Sequence, residues 1–240
     1  MTQLNEDFSR RSKLRDIGRW FVTRFVEETA GALAPGSSVL DAGAGECVYK
    51  RFFSHCDYRA IDLAVGEEKW NYGNLDYVGP LHDMPIPSDS FDAVLCTQVL
   101  EHAEWPRESV KEMYRVLKPG GRLFITVPMS QGEHQIPYDF FRYTSYGLRS
   151  MCRHAGFGAV EVRPFGGLLT RWAYELPRSL ALFPSAGILA GAMNPKGLVL
   201  LPAKAALWLA IVAAQVILLC LDPLDKVRND PWGWCVIATK

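Results

Sequence analysis

A glycine-containing segment, DAGAG at residues 41–45, follows directly on the apolar run Ser38–Leu40. The apolar run predicts a buried strand, and glycines after a strand let the backbone approach a ligand closely at the carboxyl end of a sheet. Carboxylates flank the glycines at Asp41 and Glu46, and they would repel a pyrophosphate. Val48 also stands where a dinucleotide fingerprint has its third glycine. The segment therefore disfavours a nicotinamide dinucleotide and favours a ligand that carries positive charge.

A further carboxylate, Asp62, lies 19 residues beyond Gly43, at the end of the predicted strand Tyr58–Ile61. An acid with this spacing can accept hydrogen bonds from both ribose hydroxyls of a nucleoside. The alternative for Asp62 is a helix N-cap or a loop acid without a ligand. A nucleoside with cationic groups, such as the amino group and sulfonium of S-adenosylmethionine, satisfies both signals.

Short apolar runs and amphipathic stretches alternate along the part of the chain that must position these residues. The predicted strands are Ser38–Leu40, Tyr58–Ile61, Phe91–Cys96, Arg122–Val127 and Ala159–Val162, and the predicted helices cover residues 15–31, 47–54, 107–117 and 145–155. This alternation predicts an α/β fold with a doubly wound, mostly parallel sheet and helices on both of its faces. The tail Trp232–Thr239 predicts a last strand of the same sheet.

Composition excludes several classes of protein. Lys plus Arg and Asp plus Glu number 26 each, so the net charge is zero and no nucleic-acid partner is expected. The six cysteines are scattered without a CxxC pair, and no histidine lies at metal-ligand spacing. We therefore expect reduced thiols in a cytoplasmic protein, and no metal site. The polar N-terminus indicates no secretory signal.

Four motifs resemble those of the class I S-adenosylmethionine (SAM)-dependent methyltransferases, within the broad group of quinone- and lipid-type enzymes. In chain order they are VLDAGAGE at 39–46, AIDLA at 60–64, MPIPSDSFDAVLCTQVLEH at 84–102 and EMYRVLKPGGRLFITVP at 112–128. The resemblance covers residues 38–128 closely and continues less specifically through PYDFFRYT at 137–144 and AGF at 155–157. It implies a Rossmann-like fold whose last strand is antiparallel, with SAM as the cofactor.

The resemblance also implies roles for individual residues. The methionine end of the cofactor would contact Asp41, Gly43 and Gly45, and Gln98 would close that side. Asp62 would bind the ribose, and Leu81, or a neighbour in Pro80–His82, would meet the adenine through its backbone.

Two positions depart from the family pattern. Cys47 stands where many relatives have a third glycine, which predicts a narrower start of the following helix. Pro80 stands where an acid is usual for the adenine amino group, and a proline side chain cannot accept that bond. Asp83 is the candidate substitute; a loop acid without this role is the equal alternative.

The acceptor side is predicted from three residues. His102, in the pair Glu101-His102, follows the predicted fourth strand and is a candidate general base, although the pair could serve only to pin a loop. His134 and Tyr138 lie in the loop Ser130–Phe140, on the substrate side of such folds. A base is not obligatory, because SAM is already activated and alignment of the reactants can supply most of the acceleration.

Residues 165–230 contain two apolar stretches, Leu180–Met193 and Ala205–Leu221, and the second has Gln215 as its single polar residue. We predict two helices that pack on each other and on the carboxyl side of the sheet, near the loop after the fifth strand. A single membrane span is disfavoured, because the tail strand must return to the sheet. Residues 180–221 would then be a cap or a homodimer interface, which we favour, or would dip into a membrane surface.

The sequence predicts two parts: residues 1–164 with 231–240 as the SAM-binding domain, and residues 165–230 as an apolar helical insertion. The predicted activity is methyl transfer from SAM to a small, lipophilic or lipid-linked acceptor, in the cytoplasm or peripheral to the inner face of a membrane. The alternatives are a catalytically silent SAM-fold scaffold and a nicotinamide-dependent oxidoreductase.

Overall fold

The computed structural model describes residues 16–66, 70–182, 188–189, 192–193 and 201–240. They form two compact units. The larger unit comprises Phe21–Phe165 and Gly233–Lys240, and the smaller comprises Asp16–Trp20 with the described part of Gly166–Trp232. The smaller unit takes in most of the predicted insertion, together with five N-terminal residues that the prediction gave to the first domain.

A seven-stranded sheet forms the larger unit. Its strands are β1 Ser38–Ala42, β2 Asp57–Asp62, β3 Tyr77–Val78, β4 Phe91–Thr97, β5 Leu117–Pro128, β6 Ala159–Phe165 and β9 Gly233–Thr239. They lie in the order β3-β2-β1-β4-β5-β9-β6, and β9 is antiparallel to both of its neighbours while the other pairs are parallel. The predicted Rossmann-like sheet with an antiparallel last strand is confirmed.

The central strands β1 and β4 are buried along most of their length because both faces of a parallel sheet are covered. Leu40 in β1 and Leu95 in β4 are fully buried. On one face, α2 (Pro106–Val116) and α3 (Ser145–Ala155) pack their apolar side chains, such as Met113 and Leu148, into the same cluster as Ile125 of β5.

The other face of the sheet is covered by α1 (Ile17–Gly31), whose Phe25 packs edge-on against Phe124 of β5, with ring centroids 6.3 Å apart. Phe124 alternates with Ile125 along the strand, so the two side chains point to opposite faces. Helices therefore lie on both faces, as the doubly wound prediction requires.

The prediction of an α-helix over residues 47–54 is wrong, because the structure has only a short 3₁₀-helix at Lys50–Phe53. Cys47 has φ +57°, outside the right-handed helical region, so an α-helix cannot continue through it. The residue that replaces the third glycine thus adopts the left-handed conformation that a glycine would adopt freely.

In the smaller unit, α4 (Leu168–Glu175) packs against α5 (Leu201–Leu221). The Gln215 Nε2 of α5 donates to the Ala173 carbonyl of α4 over 2.9 Å, which satisfies the single polar side chain predicted in this stretch. Asp222, just beyond α5, accepts the N–H groups of Gly167 at 3.0 Å and Thr170 at 2.7 Å. This buried carboxylate caps the N-terminus of α4, where a negative charge is favoured.

The prediction of a helix over the first apolar stretch, Leu180–Met193, is wrong for the residues that the structure describes. A 3₁₀-helix at Leu176–Leu182 precedes two short strands, β7 (Ile188–Leu189) and β8 (Ala192–Met193), which pair antiparallel to each other. The stretch contains Gly187 and Gly191, and glycine disfavours helix interiors by about 1 kcal/mol. The predicted pair of packed helices is therefore not formed there.

Most of α5 is exposed. Trp208, Leu209 and Ile217 are 52 %, 62 % and 57 % exposed, whereas Ile211 and Gln215 form a narrow buried stripe. Among the described residues, α5 is the one helix that is long and apolar enough to cross a membrane by length and composition. The cover that we predicted from the chain itself is thus missing over most of this helix, within the part of the chain that the structure describes.

Candidate functional site

A cavity of about 350 Å³ lies at the carboxyl end of the sheet, within the larger unit. It is lined by Gly43, Gly45, Asp62, Leu63, Val65, Gly66, Trp70, Tyr72, Leu81, Val99, His102, Ala103, Gln135, Ile136 and Tyr138. These residues lie at or just after the carboxyl ends of β1 to β5, which is where open α/β sheets bind ligands. The volume falls in the range of small-molecule sites.

The predicted glycine loop forms one wall of the cavity. Gly43 has φ +84° and Gly45 φ +51°, conformations that residues with a side chain rarely adopt. The Gly43 and Ala44 N–H groups donate to the Ile61 carbonyl at 2.8 and 3.1 Å, so the loop is tied to the end of β2. A side chain on Gly43 would collide with Val99, which follows β4. Bare backbone at this point is what a close-fitting ligand requires.

Asp62 holds the loop from the side of β2 and also faces the cavity. Its Oδ2 accepts the Gly45 N–H at 2.9 Å, and its Oδ1 accepts the Ala64 N–H at 2.8 Å. Each carboxylate oxygen can accept more than one hydrogen bond, so Asp62 retains acceptor capacity for two hydroxyls. The structure thus brings together Gly43, Gly45 and Asp62 as predicted from their spacing.

Asp41 lies beneath the glycine loop and not in the cavity wall. It is 1 % exposed, and its Oδ2 accepts the Tyr58 hydroxyl at 2.5 Å. Burial raises its pKa to about 7; the Tyr58 hydrogen bond opposes this and the charge of Asp62 adds to it. No donor among the described residues contacts its Oδ1. We predicted that Asp41 contacts the methionine end of the cofactor directly. The structure instead places Asp41 in the layer behind the glycine loop.

Of the remaining predicted cofactor residues, one lines the cavity and two do not. Leu81 lines the cavity, as expected. Asp83 is exposed outside its wall, so it is not positioned to replace the acid missing at Pro80. Gln98 also lies outside the wall: it has φ +54°, and its Nε2 donates to Thr126 Oγ1 at 3.2 Å. Its side chain links β4 to β5 and does not close the cavity.

Trp70 and Tyr72 line the cavity but were missed in the sequence. Their ring centroids are 6.3 Å apart, and the Tyr72 hydroxyl accepts the Gly66 N–H at 2.8 Å. A side chain on Gly45 would meet the Trp70 ring at 3.8 Å, so the indole lies across from the glycine loop. The available signal was two aromatic residues in a polar loop that follows the carboxyl end of β2.

The loop after β5 is fastened to the turn Leu100–His102. The Glu101 carbonyl accepts the N–H groups of Phe140 at 2.9 Å and Phe141 at 3.2 Å. The His102 Nδ1 lies 2.5 Å from the Tyr138 carbonyl, and the Tyr143 hydroxyl donates to the Leu100 carbonyl at 2.8 Å. The pair Glu101-His102 therefore pins this loop, which was the structural alternative for it. His102 and Tyr138 also line the cavity.

Two side chains of that turn, those of Glu101 and His102, have buried polar atoms with few hydrogen-bond partners. Glu101 is 0 % exposed, and neither carboxylate oxygen has a hydrogen-bond partner in any other described residue. Burial raises the pKa of Glu101 to about 8. The His102 Nε2 is likewise buried without a partner in the described part of the chain, and burial lowers the pKa of this imidazole. Buried polar atoms are nearly always paired, so this arrangement is unusual.

His134 lies behind His102, outside the cavity wall, with ring centroids 4.7 Å apart. Its loop is held by Asp139, whose carboxylate accepts the His134 N–H at 2.9 Å and two Arg142 N–H groups at 2.7 and 2.8 Å. Arg142 holds the pKa of Asp139 well below its usual range. The three predicted acceptor-side residues thus lie together, with His102 and Tyr138 in front and His134 behind.

A sheet of this order, with a glycine loop after β1 and a carboxylate ending β2, defines the class I SAM-dependent methyltransferases. A sequence profile of the family described as "Methyltransferase domain" matches residues 40–125. The chain is 30 % identical over 192 residues to the ubiquinone/menaquinone biosynthesis C-methyltransferase UbiE of Shewanella woodyi, covering 72 % of this chain and 70 % of that protein. The chain belongs to the SAM-dependent methyltransferase family, and its cofactor is SAM.

Two further similarities agree with this assignment. The demethylmenaquinone methyltransferase of Renibacterium salmoninarum is 33 % identical over 141 residues, which are 55 % of this chain and 56 % of that protein. The crystal structure of a SAM-dependent methyltransferase from Archaeoglobus fulgidus matches with a TM-score of 0.57 at 15 % identity, covering 91 % of this chain and 93 % of the other. The second similarity supports the fold.

Proposed function

We propose that this methyltransferase acts on a lipophilic, ring-bearing acceptor of the prenylated quinol type. The observation that carries the proposal is the apolar wall of the cavity, to which Leu63, Val65, Val99 and Ile136 contribute. An apolar wall next to a polar cofactor loop favours an acceptor with little charge. The names of the relatives from Shewanella and Renibacterium point to the same class of acceptor.

The cofactor end of the cavity is proposed from the residues that fit it. Gly43 and Gly45 would admit the methionine portion, Asp62 would accept the ribose hydroxyls, and Leu81 with Trp70 would enclose the adenine. Asp41 would act through the loop above it. When bound, SAM supplies an activated methyl group on a positively charged sulfur, and the protein's contribution is to align the acceptor with it.

The acceptor end is proposed for His102 and Tyr138, with His134 in support. The His102 Nδ1 faces a carbonyl oxygen, so the imidazole proton belongs on Nδ1 and the lone pair on Nε2. The lowered pKa keeps this imidazole neutral. In that state the imidazole can act as a base through Nε2, once binding of the acceptor exposes this atom, which is buried in the structure. The exposed ring of Tyr138 would cover the acceptor from the loop side.

We also propose that α5 lies in the plane of a membrane surface, where a lipophilic acceptor would be dissolved. Contiguous exposed apolar surface of this size is rare in soluble monomers. At 21 residues the helix is about 30 Å long, enough to cross a bilayer. However, β6 precedes α5 and β9 follows it, and the two strands pair directly. A single crossing by α5 would separate these strands, so an interfacial position fits the topology.

Methyl transfer to defined acceptors tests the proposed function. The full chain would be incubated with radiolabelled SAM and a prenylated naphthoquinol that lacks its ring methyl group, in detergent micelles. The matched control is the same ring without the prenyl chain. We expect kcat/KM at least ten-fold higher for the prenylated ring, because each buried CH₂ of the chain stabilises the complex by about 0.8 kcal/mol. Calorimetry with S-adenosylhomocysteine would show that the cofactor site is intact.

Two results would contradict the proposal. Tight binding of S-adenosylhomocysteine without transfer to either ring would favour the silent-scaffold alternative. Preferred transfer to a polar acceptor such as phosphoethanolamine would confirm methyl transfer but contradict the lipophilic acceptor. The nicotinamide alternative is not favoured, since the family uses SAM and the acids near the loop oppose a pyrophosphate.

A further inference from the structure

We propose that Glu101, His102 and His134 form a binding site for a divalent transition-metal ion at the wall of the cavity. One potential ligand atom from each of the three lies within 4.8 Å of the others. His134 is 32 positions beyond His102, so no short motif contains this group, and the sequence alone predicts no metal. The fold brings the residues together by fastening the loop after β5 to the turn after β4.

Glu101 gives the first reason to expect an ion. Its carboxylate is fully buried, and neither oxygen has a hydrogen-bond partner in any other described residue. Oε1 lies 4.0 Å from the His102 Nε2, which also lacks a partner in that part of the chain. Buried polar groups that are left unpaired destabilise a fold, and charged groups do so most. An ion between these atoms would satisfy the carboxylate and the imidazole together.

The second reason is the hydrogen bonding of the two imidazoles. The His102 Nδ1 lies 2.5 Å from the Tyr138 carbonyl, and the His134 Nδ1 lies 3.1 Å from the Gly132 carbonyl and 3.3 Å from Asp139 Oδ2. Acceptors at Nδ1 place the proton there and leave the Nε2 lone pair free. Metal-binding histidines are commonly oriented by such a contact from the nitrogen that does not bind the ion.

Nearby charge does not supply a substitute for the ion. Arg142 carries the positive charge that acts on Glu101, but its guanidinium is bonded to both oxygens of Asp139. It therefore makes no hydrogen bond to the Glu101 carboxylate in the described residues. Asp139 is in turn bonded to the His134 N–H, so the pair with Arg142 fixes the loop that carries the third ligand.

Two histidines and one carboxylate suit zinc, cobalt or iron in the divalent state, and are poor ligands for magnesium. Bonds of about 2.0–2.2 Å place tetrahedral ligand atoms roughly 3.5 Å apart, so shifts of about 1 Å would close the site. Three protein ligands leave a coordination position open. His102 lines the cavity and its Nε2 is buried, so the ion would lie directly behind the cavity wall. His102 would then act as a ligand and not as a base.

Cobalt binding tests the site without reference to methyl transfer. The full chain, stripped with a chelator, would be titrated with Co²⁺ and, in parallel, with Zn²⁺ and Mg²⁺. All proteins would carry Cys220→Ser, since Cys220 is an exposed thiol that could bind these ions. We expect one equivalent of Co²⁺ with visible d–d bands and no thiolate charge-transfer band. Zn²⁺ should compete for the site, and Mg²⁺ should not.

Substitutions assign the ligands. His134→Ala and Glu101→Gln should each weaken Co²⁺ binding at least ten-fold, and His154→Ala should leave it unchanged. His154 is a matched histidine on α3 that contacts the Ser150 carbonyl. Circular dichroism of the metal-free variants would check that they fold. Weak, non-stoichiometric binding by the parent protein would overturn the proposal, as would equal affinities for the parent, His134→Ala and Glu101→Gln. Since the readout is binding of the metal alone, a failure here leaves the proposed methyl transfer untouched.

Discussion

The two units differ in how far they bury similar apolar side chains. In the larger unit, Leu40, Leu95 and Ile125 are fully buried between the sheet and its helices. In the smaller unit, Leu209 and Ile217 on α5 are more than half exposed. Apolar composition alone therefore does not determine where a side chain lies; the packing partner does. The sheet unit contains its partners, whereas most of α5 needs one from outside the described chain.

The sharpest test of this difference places charge on the exposed face of α5. Burial of a large aliphatic side chain is worth about 2 kcal/mol, so Leu209→Glu combined with Ile217→Glu should weaken vesicle binding roughly 1,000-fold. Sedimentation with mixed zwitterionic and anionic vesicles measures the effect. The matched control is Val78→Glu with Tyr146→Glu, two exposed apolar residues of the larger unit, which should bind vesicles normally.

Several outcomes would change the assignment of α5. If the double variant sedimented like the parent protein, α5 would not be the membrane contact. If the parent protein did not bind vesicles but formed a dimer, and the double variant was monomeric, the partner of α5 would be a second copy of the chain. Release of the bound protein by salt alone would mean that charge, and not apolar surface, provides the attachment.

A buried carboxylate distinguishes the larger unit in a second way. Burial raises the pKa of Asp41 to about 7 in the folded chain, above its ordinary value of 3.8. A raised pKa means that the folded state favours the protonated carboxyl, so this contribution to stability is complete below pH 4. It is lost as the pH rises towards 7. Over that interval the loss is roughly 4 kcal/mol.

Asp41→Asn should remove this dependence, because the amide resembles the protonated acid and carries no charge. Urea unfolding of the full chain between pH 4 and 8 would measure the difference between the variant and the parent protein. We expect similar stabilities near pH 4 and a more stable variant at pH 8. If the free energies of unfolding of the variant and the parent protein differed by the same amount from pH 4 to pH 8, Asp41 would be ionised in the folded protein over that whole range.

The glycine loop offers a prediction that should leave α5 unaffected. Gly43→Val places a branched side chain at φ +84° and against Val99, so we expect S-adenosylhomocysteine binding to fall more than about 100-fold. Gly36→Val is the control, since Gly36 has φ +82° with open space around it. Calorimetry should show the parent affinity for Gly36→Val, and both variants should bind vesicles. Equal losses of affinity would indicate that backbone strain, and not the position in the cavity, is responsible.

The cofactor side of the cavity could be predicted because its residues lie close together in the sequence. Gly43 and Gly45 mark a backbone turn that only small residues permit, and Asp62 ends the next strand. Trp70 was missed because no spacing rule places an aromatic residue of that loop opposite the glycines. The cluster of Glu101 with His134 was missed for a stronger reason. It depends on hydrogen bonds between a loop and a turn that are distant in the sequence.

The apolar segment shows where pattern reading fails. Leu201–Lys204 belong to α5 but were left out, because Pro202 and Lys204 interrupt the apolar run. A proline is tolerated in the first turn of a helix, where its missing N–H would have no partner. The opposite error was made for Leu180–Met193, where apolar composition outweighed two glycines. In both cases the local backbone chemistry was the better guide.

The smallest effect is expected at Asp62, which holds the loop and faces the proposed ribose position at once. Asp62→Ala should weaken S-adenosylhomocysteine binding about ten-fold, the loss of one charge-assisted hydrogen bond with partial compensation by water. Asp62→Asn keeps an oxygen for one backbone N–H and should lose only a few-fold. Asp76→Ala is the matched control: Asp76 also accepts a backbone N–H, from Ala60 at 2.9 Å, and lies outside the cavity wall. If Asp76→Ala were as damaging as Asp62→Ala, general loosening of β2 would explain both losses. If Asp62→Ala bound normally, the ribose would have to be recognised by another group, and the reading of the β2 carboxylate would be wrong.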